Sequence, residues 1–572
     1  MKQSWNLINS LTGRSKNSSN FENSLDNEAL LDRVENFNDF FSNIGNLLGS
    51  RFNETDYNVS DSDFSNNASF FLCPVTEREI DEIIVNMKVV KSDINVIPVN
   101  IFKALRHIFI PPLIKLVNLS FETGIFPDSL KIARVTPIHK QGNNSDPSNF
   151  RPISSLPYLS KIFEKCVKDR LISFFDRFSL FCPTQFGFRR GMSTCDAMVH
   201  LTEQIYNSLD NRSHTFAILI DFKKAFDTVN HGILLKKLQS YGIRGTQLEW
   251  FRSYLLDRKC YVEIQNVKSS VRSIDIGVPQ GSILGPILFL LYINKFSKLS
   301  NQFDTTLFAD DTTVLISNHD FNSLVSNSNF VLGKINDWTI NNRLTLNVSK
   351  TVALYFSNRG SNGDQNIVLG GESVSVVNNC KFLGVFLDNR LNFVSHIQYI
   401  YNKISKHSGI LYRIKNNLTL EAKLSYYYAF IYPYLSYNVC VWGSTYSTHL
   451  QPLVIQQKRI IRILTDSHFL AHTRPLFYQL GLLQFIDIYK FSLLCYVHNL
   501  ISKGKLSFNR ARSLRDPYLL KPSLHKLTLT QHAFSFMGPN EWNKLPINLR
   551  KIEKLPKFKR NLKKYFLDSY SD

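Results

Sequence analysis

Two adjacent carboxylates, Asp310 and Asp311, interrupt the apolar, β-branched stretch LFADDTTVL (307–315). Adjacent carboxylates repel, and burying either without a partner costs on the order of several kcal/mol. The pairing therefore calls for a cation. A third carboxylate, Asp221, closes the apolar run FAILI (216–220), the pattern of a buried strand that delivers an acid at its end. If the two strands lie side by side, Asp221 and Asp310 can share two Mg²⁺ ions about 3.5–4 Å apart, the arrangement that serves phosphoryl transfer. Hard carboxylate oxygens suit Mg²⁺. An isolated Asp-Asp is more often a cap or a solvated loop; its apolar flanks and a second strand-end aspartate turn the balance toward a metal site.

The elements that must position these acids are legible around them. TTLFADDTTVLIS (305–317) reads as a strand–turn–strand hairpin with the aspartates at its tip. TFAILIDFKKAFDTVNHGILLKKLQSYGI (215–243) runs from strand through turn to a helix that packs through Leu234, Leu235 and Leu238, with Gly242 as its stop. IGVPQGSILGPILFLLYIN (276–294) opens with a Gly/Pro turn and continues as an apolar helix. Upstream, KIARVTPIHKQGNNSDPSNFRPISSL (131–156) reads as a projecting hairpin with Lys140 and Arg151 at its edges. Phe163, Val167, Leu171 and Phe175 form an i,i+4 stripe, a core-facing helix without a catalytic role. Thr76 followed by Glu79 forms a capping-box pattern.

The chain has 572 residues and a net charge of +21, which favours a polyanionic partner such as nucleic acid. Its eight cysteines are scattered with no C-x-x-C pair, against a zinc knuckle or a secreted disulfide framework. The longest apolar run, ILGPILFLLYI (283–293), is shorter than the ~20 residues of a membrane span, and no signal-peptide core opens the chain. These features predict no membrane partner and an intracellular protein with reduced thiols. The Asn/Ser/Asp-rich stretch 53–69 reads as flexible, and the amphipathic piece VENFNDFFSNIGNLL (34–48) as a helix able to dock.

AILIDFKKAFDTVNH, GVPQGSILGPILF and LFADDTTVL resemble the A, B and C palm motifs of reverse transcriptases, in the spelling of non-LTR (LINE-type, jockey-like) retrotransposons. The resemblance extends to a fingers-like segment (135–165), QFGFRRGMST (185–194), RLTLNVSKT (343–351) as motif D, and KFLGVFLDNRLNFVSHI (381–397) as primer grip. IYPYLSYNVCVWG (431–443) and SFMGPNEWNKLP (535–546) are similar to thumb and tail, so coverage runs from about residue 30 nearly to the end. The resemblance implies an α+β right-hand polymerase. Its parts are a polar lead-in (1–74), fingers and palm (75–399), a helical thumb (400–470) and a basic helical C-terminal region (471–572). KSDINVIP (91–98) departs from the family pattern in the fingers.

The same resemblance implies roles. Asp221, Asp310 and Asp311 are the catalytic acids, holding two Mg²⁺ (or Mn²⁺), with the Phe222 carbonyl as an extra ligand. Phe226 blocks a ribose 2′-OH, Gln280 and Gly281 border the incoming base pair, Lys140 and Arg151 close over the triphosphate, and Lys350 acts as general acid. Asp227 is read as a structural cap of its turn. The expected partners are an RNA template, a DNA primer and dNTPs, in a cytoplasmic ribonucleoprotein and the nucleus. An endonuclease is expected to come from elsewhere, and the chain to be a fragment of a longer element protein or an internally started frame. Basic clusters at 458–462 and 557–564 suit phosphate contact. Two rival readings stand beside this one: a retroelement remnant that only binds nucleic acid, against which the intact acids argue, and an RNA-dependent RNA polymerase, against which Phe226 argues.

Overall fold

The computed structural model describes residues 27–50, 67–88, 97–299, 301–358, 366–506 and 516–571. Most of the polar stretch 53–69 and of KSDINVIP lies outside the described residues.

One sheet organises the site end of the molecule. Its strands are β3 (His214–Ile220), β5 (Asp304–Phe308), β6 (Asp311–Asn318), β7 (Val352–Phe356) and β8 (Ser375–Val377), in the order β8-β7-β3-β6-β5. All neighbours run antiparallel except β8 and β7. The unbroken apolar run of β3 follows from burial on both faces. Phe216, Ile218 and Ile220 enter one core and Ala217 the other, the period of two of a strand with two covered sides. β6 repeats this, with Val314 and Ile316 on one face and Leu315 on the opposite one.

The first core joins the sheet to α4 (Tyr158–Arg177), α6 (His231–Ser240) and α7 (Gly285–Ile293). In α4 the predicted stripe of Phe163, Val167, Leu171 and Phe175 is buried. The helix α2 (Glu77–Asn86) starts at Thr76, whose hydroxyl accepts the Glu79 N–H at 3.3 Å. The reciprocal half of the capping box gives way to a stronger partner, because Glu79 takes a forked ion pair from Arg170 on α4 at 2.5 and 2.9 Å.

A second sheet carries β1 (Ile132–His139), β2 (Phe150–Ser155) and β4 (Arg258–Ile264), in the order β2-β1-β4 with two short strands beyond. β1 and β2 form the expected projecting hairpin. Helix α1 (Asn27–Gly49) lies on this sheet, burying Leu30, Val34, Phe37 and Phe41 against Val135, Phe150 and Val262. The amphipathic piece thus docks, and part of the polar lead-in expected over 1–74 is a built wall of the fold.

The second core runs from α5 (Thr194–Asp210) through the hairpin β9 (Asn379–Phe382) and β10 (Val385–Asp388) into the C-terminal helices. These include α9 (Val394–Ile414), α10 (Val439–Trp442), α11 (Ser447–Leu464), α12 (Phe485–Ser502) and α13 (Leu555–Asp568). This one core takes in Leu411, Ile460, Leu493 and Phe558 alike, so packing draws no boundary at residue 470. α13 buries Phe558, Leu562 and Phe566 and leaves Lys557, Lys559, Arg560 and Lys564 exposed. Among the described residues, no single helix is long and apolar enough to cross a membrane.

Candidate active site

Register brings the acids together. Ile220 pairs with Thr312 across β3 and β6, so the next step along the ladder sets Asp221 opposite Asp311, beside Asp310. The tip is tight: Phe308 pairs with Asp311, and Ala309 between them takes φ +58°. Gln185, 1% exposed, holds that conformation by accepting the Ala309 N–H at 3.0 Å and the Gly187 N–H at 2.9 Å. A Cβ on Gly187 would come within 2.3 Å of the Ala309 nitrogen, so only glycine lets this segment lie against the tip.

Asp221 is fixed from another direction. Asn347 donates its side-chain N–H to Asp221 Oδ2 at 2.6 Å and its backbone N–H to the Asp221 carbonyl at 2.8 Å. Neither Gln185 nor Asn347 stands out in the sequence. Each sits within a string that resembles the family, but an amide offers no charge or spacing signal of its own.

The cleft at these strand ends has a volume of about 680 Å³. Of the residues predicted from sequence, Lys140, Arg151, Asp221, Phe222, Phe226, Gln280, Asp310 and Lys350 line it. Asp311 and Gly281 do not. The structure adds Lys224 and one apolar wall from α1, made by Phe40, Ile44 and Leu48. Lys224 takes φ +49° and donates to the carbonyls of Ser148 and Phe150 at 3.3 and 3.2 Å, tying the turn after Asp221 to the β1–β2 hairpin.

Phe226 is stacked on Phe289 of α7, with ring centroids 4.7 Å apart. Asp227 departs from the predicted turn cap. Its carboxylate accepts both contacts of the Gln280 amide, at 2.8 and 3.0 Å, while its backbone N–H closes the turn on Lys224. Burial raises the Asp227 carboxyl to about 6. The Gln280 carbonyl in turn accepts the Ser154 N–H at 2.8 Å, and a Cβ on Gly281 would sit 2.3 Å from the Ser154 oxygen. Gly281 thus acts as a close-approach point between the loop and β2.

The electrostatics are those of crowded, partly desolvated carboxylates. Asp310 and Asp311 reach solvent, yet the surrounding protein strips enough water to raise both. For Asp311 the shift, to about 6, comes first from desolvation, then from Asp310 and Asp221; for Asp310, desolvation and Asp221 raise it while Arg151 and Lys140 pull against them. Among the described residues, no three His, Cys, Asp or Glu side chains are gathered closely enough to hold a metal unaided. Mg²⁺ is usually bound through one or two carboxylates plus substrate phosphates. The donor set of hard, mutually repelling oxygens in a wet cleft fits such an ion.

Residues 138–387 match the family described as "Reverse transcriptase (RNA-dependent DNA polymerase)", and every cleft residue outside α1 falls within them. Apart from the α1 wall, the cleft therefore lies within the stretch that resembles reverse transcriptases. The chain also resembles the polymerases of non-LTR retrotransposons. It is 29% identical to the probable RNA-directed DNA polymerase from transposon BS of Drosophila melanogaster, over 72% of this chain and 46% of that protein. For the RNA-directed DNA polymerase from mobile element jockey of the same organism, identity is 28% over 63% of this chain and 40% of the relative. The chain thus spans less than half the length of these relatives. Among solved structures, a deletion mutant of the RNA-dependent RNA polymerase of a human picorbirnavirus aligns with 81% of this chain and 80% of its own, at 9% identity and a TM-score of 0.37.

Proposed function

We propose that the chain is an RNA-directed DNA polymerase that extends a primer 3′-OH on an RNA template with dNTPs. The observation that carries this reading is the convergence on one cleft of two strand-end acids, Asp221 and Asp310, with Lys140, Arg151, Phe226, Gln280 and Lys350. Asp221 and Asp310, with Asp311 and the Phe222 carbonyl beside them, would hold two Mg²⁺ or Mn²⁺ ions, which supply acidification of the attacking hydroxyl and neutralisation of charge on the phosphates.

The protein's own groups do the rest. Lys140 and Arg151 bind the triphosphate, one as a point charge and the other as a planar fork. Phe226, braced by Phe289, fills the space beneath the sugar and excludes a 2′-OH. Gln280, held by Asp227, borders the nascent base pair. Asn347 orients Asp221, and Lys350 gives a proton to the departing pyrophosphate. The working partners are an RNA template, a DNA primer and dNTPs, in an intracellular ribonucleoprotein.

The test is primer extension on poly(rA)/oligo(dT) with Mg²⁺, comparing dTTP with UTP and the native protein with Asp310→Asn. Extension by dTTP alone, abolished by the substitution, is expected. Template binding without extension by a folded protein would overturn the reading and favour a nucleic-acid-binding remnant. Extension by UTP would point to an RNA polymerase.

A further inference from the structure

Helix α3 (Arg106–Thr123) is apolar on two opposite sides. One side belongs to the first core. It buries Ile110, Leu113, Val117 and Phe121, and the Trp250 indole donates to Ser120 Oγ at 3.0 Å. Asn118 fixes the approach by accepting the Val75 N–H at 2.8 Å. The other side faces solvent, yet it carries Ile108, Pro112, Leu116 and Leu119, all exposed and three or four residues apart. Leu105 and Ile101 continue the stripe backwards at the same spacing. Its five aliphatic residues besides Pro112 are each between 40% and 57% exposed.

A surface helix normally sets a polar face opposite its buried one, and a helix that is apolar all round is normally buried all round. The stripe leaves on the order of 500 Å² of apolar surface in water, the scale at which a patch on a monomer is functional rather than scattered exposure. With a polar rim it approaches the roughly 800 Å² per partner of a stable interface. None of these residues lines the cleft.

Charge selects what covers it. The chain carries a net +21, so two copies repel over most of their surface, and a contact between them must form where charge is locally balanced. This face is balanced. Arg106 is paired with Asp81 at 2.7 Å, and Lys103 donates to the Val85 carbonyl at 2.7 Å. Two exposed charges remain on α3, Lys115 and Glu122, neither in an ion pair among the described residues. They stand two turns apart, about 10 Å along the axis and on one edge of the stripe. A polyanion would meet a single unpaired lysine here beside an acid, which argues against nucleic acid as the cover. Two α3 helices packed antiparallel about a twofold axis, by contrast, set Lys115 of each copy against Glu122 of the other, with Leu116 and Leu119 between the two pairs. We propose that this face binds a second copy of the chain, α3 against α3, through the aliphatic stripe and two reciprocal Lys115–Glu122 pairs. The proposal does not depend on polymerase activity.

The full chain, freed of nucleic acid by nuclease and high-salt chromatography, is followed by sedimentation velocity over a range of protein concentrations. We expect a reversible monomer–dimer equilibrium. Leu119→Glu should weaken it about a hundredfold while leaving the circular dichroism unchanged, because the side chain is exposed. Lys115→Glu and Glu122→Lys should each weaken it about tenfold by setting like charges together, and the double variant, with both charges exchanged, should restore it. Within one copy the two residues are too far apart to pair, so that rescue reports contact between copies in the antiparallel register. A monomer at every concentration, a dimer that folded Leu119→Glu leaves intact, or charge exchange without rescue would overturn the proposal. Flotation of a monomeric chain with phosphatidylcholine vesicles, lost in Leu119→Glu, would overturn it in favour of a lipid surface. Asp310→Asn separates this proposal from the polymerase reading, because it removes extension and leaves the dimer intact.

Discussion

The segment 279–284 meets carboxylates of two opposite kinds. Through Gln280 it borders the cleft of Asp221 and Asp310, where Asp310 reaches solvent and the charge of Asp221 helps to raise its pKa. Through Ile283 and Leu284 it meets Glu164 of α4, which is fully buried. Both backbone N–H groups donate to Glu164 Oε2, at 2.5 and 3.2 Å, and the Ser160 hydroxyl donates to Oε1 at 3.0 Å. Burial pushes the Glu164 carboxyl up, and these donors with the nearby Arg258 pull against it. Glu164 thereby anchors the start of α7, as acids do at helix N-termini. A carboxylate whose acceptors are filled by the fold holds structure. Carboxylates that repel one another at the mouth of a cleft leave their oxygens open to solvent.

The sharpest way to break this contrast is to neutralise one acid of each kind. Asp310→Asn should lower primer extension by at least about a thousandfold, since charge stabilisation worth several kcal/mol is lost. Its urea midpoint should hold or rise, because one member of a repelling set is gone. Glu164→Ala should do the reverse to stability, costing about 2–4 kcal/mol in urea unfolding by leaving two buried backbone donors and the Ser160 hydroxyl without their acceptor. A destabilised Asp310→Asn, or a Glu164→Ala within 1 kcal/mol or so of the native protein, would erase the distinction.

The same contrast explains what the sequence could reveal. Asp221, Asp310 and Asp311 were legible because charge at the end of an apolar strand violates the local pattern, and violations mark sites. The helices around α4 and α7 were legible from periodicity. Glu164 was not, for it sits in an ordinary helical string whose burial only the tertiary fold creates. Gln185, Asn347 and Gly187 escaped for a related reason: each acts through one contact with a residue more than a hundred positions away in the chain. The docking of α1 could be foreseen from its apolar face, but its wall of the cleft, Phe40, Ile44 and Leu48, depends on where that face lands.

Phe226 tests the cleft at smaller scale. Phe226→Ala should cut the preference for dNTPs over rNTPs by about 10–100-fold, the range for a steric contact of this size, with little change in dTTP extension. Unchanged discrimination would make the ring a packing partner of Phe289 and nothing more.

Lys237 of α6 offers the mildest test, because it is a buried charge satisfied by neutral groups alone in its hydrogen bonds. Its ammonium donates to the Tyr292 carbonyl and to Asn342 Oδ1, and lies 4.4 Å from the centre of the Tyr292 ring. Burial lowers its pKa to about 7. Below that value both folded and unfolded chains carry the proton, so this group adds no pH dependence. Between about 7 and the ordinary lysine value of 10.5 the unfolded chain holds the proton that the folded chain has lost, so stability rises with pH. The slope from this one group is at most about 1.4 kcal/mol per pH unit. Lys237→Met should remove that rise, so urea unfolding at pH 8 and pH 9 should show the native protein gaining about 1 kcal/mol more than the variant. Parallel changes in the two proteins would mean that Lys237 keeps its proton in the fold, and that neutral acceptors and an aromatic face suffice to hold a buried charge.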